Sequence, residues 1–276
     1  MKKVLIGTPV RQDPIILKLY LLSLKQLEKE GVKVDYFFVD DNNDELSKKI
    51  LEIFGRRQDT TIESYHDMQD ESYFKDERTH YWTGSLIQKV ARIKNHIIDH
   101  VLKENYDYLF FVDSDLLLHP STLQQLMKAD KDIVSEIFWT RWTPNGMELP
   151  QVWVKDNYTL FDQDFGEHLT DEEINKRLME FLNKLRKPGI YEVGGLGALT
   201  LIKRSVLEAG VHFGEIKNVS FPGEDRHFCI RAVVNGFKLF VDTHYPATHL
   251  YRQSNVEEIL SKRLADMLLP LNEIES

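Results

Sequence analysis

Tyr108-Leu109-Phe110-Phe111-Val112-Asp113-Ser114-Asp115 is the stretch whose reading decides the architecture. Five apolar residues in a row, without polar alternation, read as a strand buried on both faces. The run stops at two carboxylates flanking a serine. Before it, Ser85 to Lys103 reads as a helix with Leu86, Val90, Ile93, Ile97 and Val101 on one stripe. Further upstream, Val34 to Val39 is a strand ending in the turn cluster Asp40-Asp41-Asn42-Asn43, and Asp44 caps a helix to Phe54. Val4 to Thr8 is the first strand. Pro14 to Glu30 is the first helix, with Ile15, Leu19, Leu22 and Leu27 at helical spacing and Gly31 as its stop. A weaker strand is expected at Thr61 to Tyr65.

After Asp115 a helix opened by Pro120 leads to a strand at Asp132 to Ile137. Repeated strand–helix units predict an α/β fold with a mainly parallel central sheet and helices on both faces. Ligands on such sheets bind beyond the carboxyl ends of the strands, where Thr8, Asp40 and Asp113 lie. Downstream, Trp139 to Phe165 is rich in aromatics and acids. Thr170-Asp171-Glu172-Glu173 is a capping box opening a helix to Leu185. Gly194-Gly195-Leu196-Gly197, an apolar run from Ala198 to Ile202, a helix from Glu224 to Asn235 and a last strand at Lys238 to Val241 follow. His244 and His249 are placed just after that strand.

The 276 residues allow one or two domains, and 42% hydrophobic with 29% charged residues is ordinary for a globular chain. A net charge of −9 opposes general binding to nucleic acid. The one cysteine, Cys229, excludes an internal disulfide and any multi-cysteine zinc site. No stretch has the length of a signal peptide or a spanning helix, so a cytoplasmic protein is expected, with peripheral membrane attachment left open.

Three segments carry candidate chemistry. Asp113 and Asp115 can hold one hard cation, directly or through water. Glu224 and Asp225 stand in the first turn of a helix, where the dipole favours carboxylates and is expected to keep Asp225 ionised. His244 and His249 lie near the proposed cation.

Taken in order, these segments resemble the GT-A nucleotide-sugar glycosyltransferases, closest to the family 2 type. The resemblance covers about Lys3 to Tyr251 and rests on Thr8-Pro9-Val10-Arg11, Val39 to Asp44, Asp113-Ser114-Asp115, Gly194 to Gly197, Gly223-Glu224-Asp225 and His249. Asn42-Asn43 stand where that family has Gly-Ser. The resemblance implies one GT-A domain over 1–276: a nucleotide-binding part to about residue 115, an acceptor-binding and catalytic part over 116–255, and a helical tail over 256–276. It implies Mn²⁺ or Mg²⁺ on Asp115 and His249, with Asp113 also in reach and His244 as the second choice of imidazole. Thr8, Pro9, Arg11, Asp40, Asp41, Asp113 and Ser114 would bind the nucleotide sugar, a UDP-sugar first, and Arg92 and Lys94 would reach the nucleotide as well. Asp225 would be the general base for inverting hexosyl transfer to a glycan, protein or lipid-linked hydroxyl, with Glu224 orienting the acceptor or the helix start.

The competing readings are a metal-dependent phosphohydrolase or nucleotidyltransferase and a non-catalytic sugar- or nucleotide-binding module. The phosphohydrolase would carry its aspartates after the first strand. The nucleotidyltransferase would have a glycine-rich loop where Thr8 to Asp13 stands. The binding module would use Trp139, Trp142 and Trp153 as sugar platforms. The glycine segment does not follow an N-terminal strand, which excludes a dinucleotide fingerprint.

Overall fold

The computed structural model describes residues 1–57, 59–65, 81–143 and 146–268, with side-chain surroundings to residue 261. Its core is a ten-stranded sheet in the order β3-β2-β1-β4-β11-β6-β12-β5, with β7 on β6 and β9 on β12. The strands that lead to the crevice are β1 (Lys2–Val10), β2 (Val32–Asp40), β3 (Thr60–Ser64) and β4 (Tyr108–Phe111), all parallel. The longest ladder sets nine positions of β1 against β2. β5 (Leu116–Leu117), β6 (Ile133–Arg141), β7 (Glu148–Pro150), β8 (Val152–Trp153), β9 (Ile190–Val193), β10 (Gly195–Leu196), β11 (Thr200–Lys203) and β12 (Leu239–His249) complete the set. β6 and β12 are parallel, and β11 joins the two parallel blocks by pairing antiparallel with β4 and β6.

Period-two alternation sorts the apolar residues into two helical layers. Leu5, Phe37, Val39, Leu109 and Phe111 pack against α3 (Gly84–Lys103), α6 (Arg204–Glu208) and α7 (Glu224–Val234). Val4, Ile6, Tyr36, Phe38 and Phe110 face the other way, onto α1 (Pro14–Gln26), α2 (Glu45–Gly55) and α4 (Thr122–Ala129). Helices therefore cover both faces, as expected. Where α3 crosses β1, a Cβ on Gly7 would overlap the Ile97 side chain, so the close approach requires glycine.

Several local expectations hold. Asp44 accepts from Leu46 and Ser47 amides, and Thr170 and Glu173 form both halves of the capping box of α5 (Asp171–Leu185). Others are corrected. α1 ends at Gln26, and its buried stripe is Leu17, Tyr20, Leu21 and Leu24, while Ile15 and Leu22 are exposed. The last strand does not stop at Val241: β12 runs to His249 through a register shift between Asp242 and Ala247. α8 spans Gln253–Leu268, and residues 269–276 of the expected tail lie outside the described residues. No helix among the described residues is long and apolar enough to cross a membrane.

Candidate active site

The carboxyl ends of β1, β2 and β4 open onto a crevice of about 600 Å³ that also receives the start of α7 and the end of β12. Asp113, Ser114 and Asp115 line it, with a backbone bond from the Leu116 amide to the Asp113 carbonyl turning the chain into β5. β5 pairs antiparallel with Thr248 and His249, which sets His249 beside Asp115. His249 Nε2 stands 3.4 Å from Asp115 Oδ2, while its Nδ1 is held by Thr140 Oγ1 at 2.7 Å. Fixing one ring nitrogen aims the other, an arrangement typical of an imidazole ligand. Burial pushes the Asp113 carboxyl up to about 6, against the opposing charge of Lys94.

His244 does not share this corner. Its Nδ1 lies 2.7 Å from Oδ1 of the buried Asp242, and it does not line the crevice. The extra length and register shift of β12 separate the two histidines. Among the described residues, no group of three or more His, Cys, Asp or Glu side chains is arranged to hold a metal, so the protein's own offer is the Asp115–His249 pair with Asp113 nearby.

Across the crevice, Gly223 caps α7 and Glu224 and Asp225 form its first turn. Lys94, only 3% exposed, reaches over from α3: its Nζ is 2.7 Å from Asp225 Oδ1 and 3.1 Å from Glu224 Oε1. Burial raises the Asp225 carboxyl to about 7, with Glu224 and Asp113 adding to the rise and Lys94 opposing it. The expectation of a base kept fully ionised at neutral pH is therefore corrected, because burial brings its carboxyl to near neutrality. The Lys94 ammonium resists the lowering that burial imposes and is held charged by Asp225, Glu224 and Asp113.

On the β1–β2 side, Pro9, Arg11 and Asp41 line the crevice. Asp41 accepts from Lys89 at 2.7 Å and from Arg11 at 3.4 Å. Three expected residues face elsewhere. Thr8 is fully buried with its hydroxyl 2.6 Å from Tyr20 Oη, because alternation puts it on the α1 face with Val4, Ile6 and Val10. Asp40 folds its own turn, accepting from the Asn42 amide and side chain, and does not line the crevice. Arg92 is exposed on α3, where its Nε meets Tyr65 Oη at 3.4 Å, and it too is absent from the lining.

Sequence reasoning missed Lys89, Gln151 and Tyr158, all of which line the crevice. Lys89 sits five residues before Lys94 on the crevice side of α3, so helical spacing with the apolar stripe was the available signal. Trp142 and Trp153 also line the crevice, but Trp139 does not: the Arg186 guanidinium stacks on its ring, 3.4 Å from the centroid. The glycine segment owes its composition to Trp153. Gly195 pairs with Trp153 across β10 and β8, and a Cβ there would overlap the indole. Tyr158 has φ 62°, a left-handed conformation unusual for an aromatic residue, and its hydroxyl approaches Gly223 so closely that a Cβ would overlap it.

The model of the glycosyltransferase family 25 N-terminal domain matches residues 1–143. The chain belongs to glycosyltransferase family 25. The expected glycosyltransferase resemblance thus holds, with family 25 as the family matched. A relative from Aedes aegypti, a glycosyltransferase 25 family member, is 26% identical over 141 residues, which are 48% of this family 25 chain and 23% of the relative. Among solved structures, the chain is similar to S. aureus TarS 1–349 (TM-score 0.50, 14% identity, 90% of this chain and 60% of that one). It is also similar to the mannosyltransferase PcManGT from Pyrobaculum calidifontis, solved in complex with GDP-Man and Mn²⁺ (TM-score 0.52, 14% identity, 91% and 57% of the two chains). The family 25 chain thus has the GT-A fold and spans under two thirds of each of these relatives.

Proposed function

We propose that this family 25 chain, read as one GT-A domain, transfers a hexosyl group from a nucleoside-diphosphate sugar, a UDP-sugar first, to an acceptor hydroxyl with inversion. The observation that carries the reading is the meeting in one crevice of the Asp115–His249 pair with the paired carboxylates Glu224 and Asp225. A carboxylate and an oriented imidazole fit a hard divalent cation such as Mn²⁺ or Mg²⁺, and the similar mannosyltransferase solved with GDP-Man and Mn²⁺ supports that choice. Bound there with the donor diphosphate, such a cation would neutralise the charge that develops on the leaving group.

Arg11 and Lys89, held by Asp41, bring positive charge to the nucleotide side. Asp225 accepts the proton of the acceptor hydroxyl while the acceptor oxygen bonds the anomeric carbon and the bond to the diphosphate oxygen breaks. A base on the face opposite the departing diphosphate makes this one displacement with inversion. Incubation with UDP-glucose, UDP-galactose and GDP-mannose, each with Mn²⁺, tests the reading. Transfer or slow donor hydrolysis is expected from one of the UDP-sugars, with inverted product configuration by NMR. Release of phosphate from simple esters alone, or binding without turnover, overturns it.

A further inference from the structure

Lys94 has three N–H donors and directs two of them at carboxylates, with the ammonium 4.9 Å from the centroid of the Phe213 ring. Asp225, Glu224 and Asp113 all act on this ammonium. Asp225 Oδ1 takes the Lys94 bond, and Oδ2 has no hydrogen-bond partner among the described residues. Oδ2 points toward Gly197, where a Cβ would stand 3.4 Å away. That is ordinary van der Waals distance for a Cβ, so only atoms beyond Cβ at this position would crowd Oδ2. The sequence suggested that Lys94 reaches the nucleotide; its two hydrogen bonds run to the α7 carboxylates. It is committed to the opposite wall.

We infer that Lys94 is the positioning residue of the proton-accepting carboxylate: it pins Asp225 Oδ1, and the bare backbone at Gly197 leaves Oδ2 open to the acceptor hydroxyl. This rests on the reading of Asp225 as the base. The groups facing Asp225 are Lys94 from α3, Asp113 from the end of β4, Tyr158 from the loop over α7, and Glu224 and Cys229 from α7 itself. Only Lys94 is positive, so no other side chain in that set can replace its effect.

The test is the ¹³C carboxyl titration of aspartate-labelled protein, with the Asp225 signal assigned by its loss in Asp225→Asn. Lys94→Met is expected to raise the Asp225 midpoint by at least about 1 unit. It should also lower turnover while changing the affinity for UDP with Mn²⁺ by less than about twofold. An unmoved midpoint, or a loss of UDP affinity with an unmoved midpoint, overturns the inference and returns Lys94 to the nucleotide. If Lys94→Met does not fold, the wild-type ¹⁵Nζ signal of Lys94 decides: it must shift in step with the Asp225 titration, and a signal silent across that midpoint overturns the pairing. Gly197→Val, whose branches extend past Cβ toward Oδ2, should slow turnover about tenfold with UDP affinity intact; unchanged turnover removes Gly197 from the inference. Full activity in Asp225→Asn instead defeats the assignment of the base, a result separate from a failed Lys94 titration.

Discussion

β1 to β4 and the strands after β5 are built by different physical means. In the first block, long parallel ladders bury continuous apolar runs between two helical layers, and side-chain parity determines where each residue points. In the second, the long β6 and β12 pair through a ladder broken by a register shift, and the short strands and loops around them are held by individual contacts: Gly195 under Trp153, Tyr158 against Gly223, Arg226 bonded to Asp156 and Phe221. The first block gives a rigid rim. The second supplies the proposed base and the His249 side of the crevice, so chemistry depends on the less regular half.

The largest effect that can break this contrast is chemical. Asp225→Asn should cut turnover by at least ~10² while leaving UDP–Mn²⁺ affinity intact. The group accepts a proton only when ionised and its carboxyl is raised to about 7, so wild-type activity should be present above that pH and decline as pH falls through it. An activity profile flat from pH 5 to 8 contradicts the assignment. Next comes Thr140→Val, which removes the bond holding His249 Nδ1. Metal-dependent UDP affinity should fall about 10- to 100-fold by calorimetry, and no change would mean that the ring is oriented by packing alone.

Two stability measurements sharpen the contrast. Gly7→Ala and Gly195→Ala each force a methyl into a neighbouring side chain and should cost ~1–3 kcal/mol in denaturant unfolding. Gly195→Ala should also slow turnover by displacing Trp153, whereas Gly7→Ala should leave the kinetics of the folded fraction unaltered. The smallest effect is Thr8→Val, which leaves Tyr20 Oη without its 2.6 Å partner and should cost ~1 kcal/mol with no loss of UDP affinity. Weakened nucleotide binding would show that Thr8 is not confined to the α1 face.

The regular block was legible because one rule, burial on both faces, writes itself into runs such as Tyr108 to Val112. The misplaced residues there come from neglecting that rule's second half. Thr8 and Asp40 stand at strand ends, but alternation assigns Thr8 to the same face as Val4 and Ile6, and Asp40 to that of Tyr36 and Phe38. Motifs singled out Asp115 at the end of the regular block and Glu224, Asp225 and His249 in the irregular one, since each belongs to a short local pattern, and all four line one crevice. The partners of those residues escaped, because Lys94, Thr140 and Gly197 reach them only through long-range packing. His244 was a lure of spacing: five residues along β12 spans a register shift that no local pattern discloses.

β11 has a consequence for how the chain is made. It lies between β4 and β6, both of which leave the ribosome before it. Until Thr200 to Lys203 emerge, β4 and β6 cannot join, and each shows an open strand edge of unpaired backbone N–H and C=O groups. A nascent or truncated chain ending before Thr200 should therefore be prone to edge-to-edge association, and the insertion of this four-residue strand ties β6 to the block of β1 to β4 before β12 is made.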